Sequence, residues 1–304
     1  MSVIVLKNLV EAGFKPSLVI TSPDEPVGKK KILTPPPLKI AAQNLKLETW
    51  QPISLKKDPD IIKKLKNLKP DLGVVVAYAK FFNQESINVF AKGVLVVHPS
   101  LLPRYRGPSP IQTAILNNDF DTGVSIILLD EQMDHGQILA QEKIKLTGQE
   151  YFPELYEKLA ELGGRLLAKT IPLWLENKIS PRPQNDSEAT VCKKLEWKDG
   201  KIDVNDSVEK TFAKIRALGQ EPGAWIELQV NSKELRILKI IRAKPITDYG
   251  QPTTEIGLSQ FGQYLILICK NGALLLEQVK PEGKRAMTGK EFLNGYGRLV
   301  KSIR

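Results

Sequence analysis

The first half of the chain alternates short apolar runs with stretches whose apolar residues recur every three or four positions. Ser17–Thr21, Leu72–Tyr78, Gly93–Val97 and Gly123–Asp130 are rich in β-branched residues and nearly continuous in apolar character. Runs of this kind read as strands of a parallel sheet covered on both faces. Between them, Pro35–Leu45 and Asp58–Leu68 carry apolar residues at helical spacing, and Asp58 followed by Pro59 suits a helix start. Gln137–Leu146 alternates and predicts an edge or hairpin strand. Tyr151–Asn177 predicts a long amphipathic helix, with Leu155, Leu159, Leu162 and Leu166 on one stripe. A βαβα order of this kind predicts a doubly wound α/β domain.

The pattern changes at Lys178–Thr190, a polar, proline-bearing stretch without a period, which reads as an interdomain linker. A helix is predicted near Ser207–Leu218, and then short strands at Ala224–Leu228, Glu234–Ile246, Tyr264–Lys270 and Ala273–Pro281. Several short strands separated by turns predict a small β-barrel. The start of the chain departs from the doubly wound plan, in which a central strand comes first. Val3, Leu6, Val10 and Phe14 keep helical spacing, so residue 3 already lies in a helix. Either the sheet is built differently, or the chain lacks its first strand.

Composition narrows the function classes. The 304 residues are 42% hydrophobic and 26% charged, an ordinary soluble globular profile. No run of about 18 apolar residues suggests a membrane span, and the N-terminus lacks a basic region and a small-residue cleavage site, so a cytoplasmic protein is expected. Cys192 and Cys269 lie far apart without metal-ligand spacing and read as reduced thiols. The net charge of +10 makes a polyanion, nucleic acid first, the expected partner.

Candidate chemistry lies in Gly93–Gln112, GVLVVHPSLLPRYRGPSPIQ. Side chains alternate along a strand, so Val94, Val96 and His98 share a face. His98, one of two histidines in the chain, comes at the carboxyl end of its strand, where open α/β sheets bind ligands. A lone histidine there is as readily a hydrogen-bonded structural residue. The loop DEQMDHGQIL, Asp130–Leu139, adds a carboxylate at Asp134. A carboxylate beside an imidazole orients it and suits it to proton transfer near neutral pH. His135 reads as a loop residue.

HPSLLPRYRGPSPIQ, TGVSIILLDEQMDHGQIL and SPDEPVGKKKILTPPPLK (Ser22–Lys39) resemble the methionyl-tRNA formyltransferase family. The resemblance continues through KIRALGQEPGAW (Lys214–Trp225) and QVKPEGKRAMTGKEFLNG (Gln278–Gly295) and so spans nearly the whole chain. SLLPRYRG and MDHG are shared by formyltransferases that use 10-formyltetrahydrofolate, whereas the later motifs are particular to the tRNA enzymes. The resemblance implies a Rossmann-like catalytic domain over residues 1–179, a linker over 180–197 and an OB-like tRNA-binding barrel over 198–304. It implies formyl transfer from 10-formyltetrahydrofolate to methionyl-initiator-tRNA, with no metal and no covalent enzyme intermediate. His98 would contact the developing oxyanion and assist proton transfer, and Asp134 would hold His98. The backbone of Ser100, Leu101, Leu102 and Pro103 would cradle the pterin. Lys29, Lys30 and Lys31 would reach the tRNA acceptor end, with Lys239, Arg242 and Lys244 as further candidates. A monomer is expected.

Two departures from the family pattern stand out. The family strand reads Asn-x-His, with the asparagine donating to the formyl oxygen, and Val96 stands at that position. Loss of one oxyanion donor typically costs about 100- to 1000-fold in rate. The family's first strand and its Gly-Thr-Pro turn are also absent, for which a missing N-terminal segment is the economical expectation. Two other readings remain open at this point: an N-formyltransferase acting on a nucleotide sugar or glycinamide ribonucleotide, and a catalytically impaired member that still binds tRNA or folate.

Overall fold

A computed structural model of the chain describes residues 1–28, 30–53, 59–77, 84–231, 234–246 and 256–297. The chain forms two compact units. The first comprises Met1–Pro110, Asp121–Lys145 and Pro153–Cys192, and the second Ile111–Phe120, Leu146–Phe152 and Lys193–Arg304.

In chain order the elements up to residue 175 are α1 (Ser2–Glu11), β1 (Val19–Ile20), β2 (Glu25–Val27), β3 (Ile32–Thr34), α2 (Pro37–Asn44), β4 (Thr49–Trp50), α3 (Pro59–Leu68), β5 (Gly73–Val76), α4 (Gln84–Ile87), β6 (Val94–His98), α5 (Pro110–Leu116), β7 (Asp121–Leu128), β8 (Ile138–Lys145) and α6 (Phe152–Leu175). Each predicted strand and helix has a counterpart among the described residues, whereas Asp58, read as a helix start, and Tyr78, read as the end of a strand, lie outside them. The main sheet runs β5-β6-β7-β8, with β5 and β6 parallel. β7 is antiparallel to β6, which differs from its reading as a parallel strand. Continuous apolar character reports burial on both faces and carries no information on direction. The connection between β6 and β7 is long enough to return the chain either way. Among the described strands β8 pairs only with β7 and is the edge strand its alternation predicted, with a single bridge from Ile138 to Arg182 on its other side.

α1 begins at Ser2, as the phase of its apolar residues predicts, and buries Val5, Leu6 and Leu9. β1 pairs in parallel with β4 as a separate two-stranded sheet. A cavity of about 560 Å³ lies between this pair and the edge of the main sheet, lined by Leu9, Ile20, Leu65, Val74, Val75 and Val94 among others. The Gly73 N–H donates to Gly93 across the β5–β6 side. By alternation the backbone groups of Val74 turn toward the cavity. The sheet of this unit is therefore split among the described residues.

The second unit contains α7 (Val208–Leu218), β9 (Ala224–Asn231), β10 (Glu234–Pro245), β11 (Gly257–Phe261), β12 (Tyr264–Cys269), β13 (Gly272–Pro281), β14 (Met287–Thr288) and α8 (Gly289–Tyr296). Its antiparallel sheet is ordered β11-β12-β13-β10-β9, with β14 added on β13. Register shifts around Arg242 bend β10, and the sheet curls around Leu238, Ile240, Leu265, Leu274 and Leu276. This is the OB-like architecture expected. Ser207 caps α7 by accepting the Lys210 N–H, where the sequence predicted the helix start. Thr288 and Glu291 form a capping box at α8.

Candidate active site

Every residue of β6 is buried. The alternation of the strand sends Val96 into an apolar cluster with Leu102, Ile127 and Ile138. His98, on the same face, closes the strand and is itself buried. Its Nε2 lies 2.9 Å from the Tyr105 carbonyl oxygen, and its Nδ1 lies 3.5 Å from Asp134 Oδ1. A carbonyl can only accept, so the Nε2 position carries a proton in that bond. A ring with protons on both nitrogens satisfies both neighbours, and a neutral ring satisfies one.

The loop after β6 is held from outside itself. Ser125, on β7, donates from its hydroxyl to the Ser100 carbonyl at 2.7 Å and accepts the Leu102 N–H at 3.1 Å. Gln141, on β8, donates to the Leu102 carbonyl at 2.8 Å and to Ser125 Oγ at 2.9 Å. The Leu101 carbonyl accepts from the Arg104 N–H, and the Pro103 carbonyl accepts from the Thr190 N–H. All four carbonyls of Ser100–Pro103 therefore have internal partners, each keeping a second lone pair. The peptide bond between Leu102 and Pro103 is cis.

Asp134 reaches the site from the loop between β7 and β8, and its backbone adopts a positive φ of 50°. That region is disfavoured for side chains other than glycine, although aspartate tolerates it better than most. One carboxylate oxygen faces His98, and the other accepts the Gly107 N–H at 2.8 Å. Gly136 fits because a Cβ there would sit 1.6 Å from the Leu128 carbonyl oxygen. His135 turns away and pairs with Asp130 at 2.7 Å, in keeping with its reading as a loop residue. Among the described residues no three His, Cys, Asp or Glu side chains gather as a metal site.

Several residues of the constellation carry no sequence signal of their own. Ser125 and Gln141 lie inside ordinary strand patterns. Arg106 has backbone hydrogen bonds to Thr190 and Cys192, and its side chain donates to Gln184 at 3.0 Å and to Asp186 at 2.7 Å. The bond from Arg106 holds the Asp186 carboxyl below the usual carboxylate range. Gln184 in turn donates to the Asp134 and Gly136 carbonyls, both at 2.8 Å. Cys192 is buried beside this loop, and burial pushes its thiol pKa up.

The lysine candidates lie elsewhere. Lys29 is outside the described residues, and Lys30 and Lys31 are exposed between β2 and β3. In the second unit, Lys239 Nζ sits 4.7 Å from the centre of the Trp197 ring, which stacks on Trp225 with centroids 5.1 Å apart. Lys244 and Arg242 face Glu277, at 2.6 and 3.8 Å.

Residues 6–171 match the sequence pattern of the Formyl transferase family, and residues 194–297 match that of the Formyl transferase C-terminal domain. The chain belongs to the formyl transferase family. Among relatives of this formyl transferase, a methionyl-tRNA formyltransferase of Chloroflexus aurantiacus is 39% identical over 290 residues, 95% of this chain and 92% of the relative. One from Enterococcus faecalis is 34% identical over 300 residues, 98% of this chain and 94% of the relative. Among solved structures, the N-formyltransferase of Helicobacter canadensis, in complex with folinic acid and dTDP-3-aminofucose, shares the fold with a TM-score of 0.66 and 20% identity, covering 90% of this chain and 94% of that one. HypX of Aquifex aeolicus, in complex with tetrahydrofolic acid, has a TM-score of 0.61 at 19% identity over 86% of this chain and 44% of that one.

Proposed function

We propose that this formyl transferase moves the formyl group of 10-formyltetrahydrofolate to the α-amine of methionine esterified to initiator tRNA. What carries the reading is the His98–Asp134 pair at the carboxyl end of β6, in a chain whose methionyl-tRNA formyltransferase relatives align over 95% of its length and more. The amine nitrogen attacks the formyl carbon and forms a tetrahedral intermediate with an oxyanion. Loss of a proton from the amine and its delivery to N10 of the folate let the carbon–N10 bond break. The products are N-formylmethionyl-tRNA and tetrahydrofolate, with no covalent enzyme intermediate and no metal.

Each residue has a role in this scheme. The His98 Nε2–H, now spent on the Tyr105 carbonyl, turns to the oxyanion as it forms, and the ring assists proton transfer. Asp134 holds the ring from its other side and helps relay the proton. The Ser100–Pro103 backbone, fixed by Ser125 and Gln141, receives the pterin on its remaining lone pairs. Residues 1–179 act as the catalytic domain and 198–304 as the tRNA-binding domain, with Lys29–Lys31 reaching the acceptor end, and 180–197 join the two as a linker whose first part, through Cys192, is bonded to the loops of the site. The enzyme works as a cytoplasmic monomer.

Formylation of methionyl-initiator-tRNA, followed by release of formylmethionine, tests the reading. His98→Ala should lose about 100- to 10,000-fold in kcat, and a variant as fast as the parent would remove the catalytic role of the ring. Equal rates with a sugar-nucleotide amine would favour the other N-formyltransferases. The apolar cluster around Val96 favours a second reading, an impaired member that binds tRNA or folate without turnover, which the same assay separates.

A further inference from the structure

The polar stretch after α6 is stitched to both loops of the site. Arg182 and Ile138 exchange backbone hydrogen bonds, and Thr190 and Cys192 bond the backbone of Arg106. Thr190 also accepts the Tyr105 N–H at 2.8 Å through its hydroxyl, next to the carbonyl that faces His98. Between these anchors Gln184 spends its whole amide. Both N–H groups go to carbonyls of the Asp134 loop, Asp134 and Gly136, at 2.8 Å. Its oxygen accepts from Arg106 Nε at 3.0 Å. The reverse orientation of the amide would set its oxygen against two carbonyls, so the partners determine it.

These bonds close a ring. It runs from the Asp134 carboxylate to the Gly107 N–H, along the chain to Arg106, across to Gln184, and back to the Asp134 carbonyl. Asp134 holds a positive φ, a conformation that persists when its surroundings over-determine it. Gln184 supplies that determination at the residue's own carbonyl, and Gly107 supplies it at the carboxylate. Asp186 seats the Arg106 guanidinium at 2.7 Å and lies 3.7 Å from His135 Nε2, so the same ring anchors the neighbouring residue of the loop.

We infer that Gln184 is a positioning residue for formyl transfer, fixing the Asp134 carboxylate against His98 by clamping the two site loops together. The inference rests on the proposed roles of His98 and Asp134, and it adds a residue that acts through Asp134. A side chain of the same reach without donors, Gln184→Met, should lower kcat about tenfold and leave KM for both substrates within twofold, because the clamp acts on geometry after binding.

A readout independent of turnover keeps the test decisive. The chain has two histidines, so ¹⁵N-histidine labelling resolves the ring nitrogens of each. Gln184→Met should move the His98 Nδ1 resonance in the same direction as Asp134→Asn, with the thermal midpoint of unfolding within a few degrees of the parent. Should the methionine variant fold poorly, Gln184→Glu keeps a partner for Arg106 but offers acceptors to two carbonyls, and it should give the same displacement. An unmoved His98 resonance in a folded variant overturns the inference, even where the parent transfers formyl. A displaced resonance in a parent that transfers none supports the clamp and sinks the proposed activity.

Discussion

Val96 brings two opposed effects to one position. As a valine it fills an apolar cluster with Leu102, Ile127 and Ile138, whereas the family residue at this position would donate to the formyl oxygen. Val96→Asn should therefore destabilise the fold by about 1–3 kcal/mol, the cost of a buried amide without full partners, while raising the rate of formyl transfer. Urea unfolding and single-turnover formylation measure the two, and a stable variant with no gain in rate would mean another donor already serves the oxyanion. Cys269 offers a test of burial alone. Its side chain is fully buried, and desolvation pushes its thiol pKa up to about 11. The folded thiol stays protonated when the unfolded one ionises, so the stability is intact below pH 8.5 or so and is lost as pH rises toward 11. Between pH 8 and 10.5 the parent should lose on the order of 2 kcal/mol more than Cys269→Ala, read from urea midpoints, and equal losses would contradict the burial of the thiol.

At the scale of elements, α6 and β6 meet through a glycine. A Cβ on Gly163 would come within 2.7 Å of Val97 Cγ1, and Val97 is a buried residue of the strand that ends in His98. Gly163→Ala gains about 0.5–1 kcal/mol of helix propensity, but overpacking against a strand fixed on both sides costs about 1–3 kcal/mol. The second effect wins, so the variant should melt several degrees lower by calorimetry and transfer formyl more slowly; a rise in melting temperature would mean the strand yields freely. α6 itself was legible because Leu155, Leu159, Leu162 and Leu166 repeat the helical period within a helix of 24 residues, and three of these four positions are almost wholly buried. β11 and β14 were not, because five residues on an edge and two at a turn offer too short a pattern to separate from a loop.

For the whole molecule, charge makes the broadest prediction. A net charge of +10 predicts tRNA binding that weakens steeply with salt. Replacing Lys30 and Lys31 together by alanine should lower the slope of log K against log salt by about 0.7–0.9 for each phosphate these lysines neutralise, and an unchanged slope would remove them from the tRNA interface. The sequence by itself determined most of the strands and helices, the curled sheet of the second unit and the pairing of His98 with Asp134, because periodicity and motif are local properties. Only the tertiary structure decided the direction of β7, the split between β1 and β5, the enclosure of Val96 by loop and strand, and the binding of Gln184 to residues 50 and 48 positions away. The reason is physical: an irregular segment spends its hydrogen bonds on distant partners, and no period in the sequence records which carbonyl a glutamine will find.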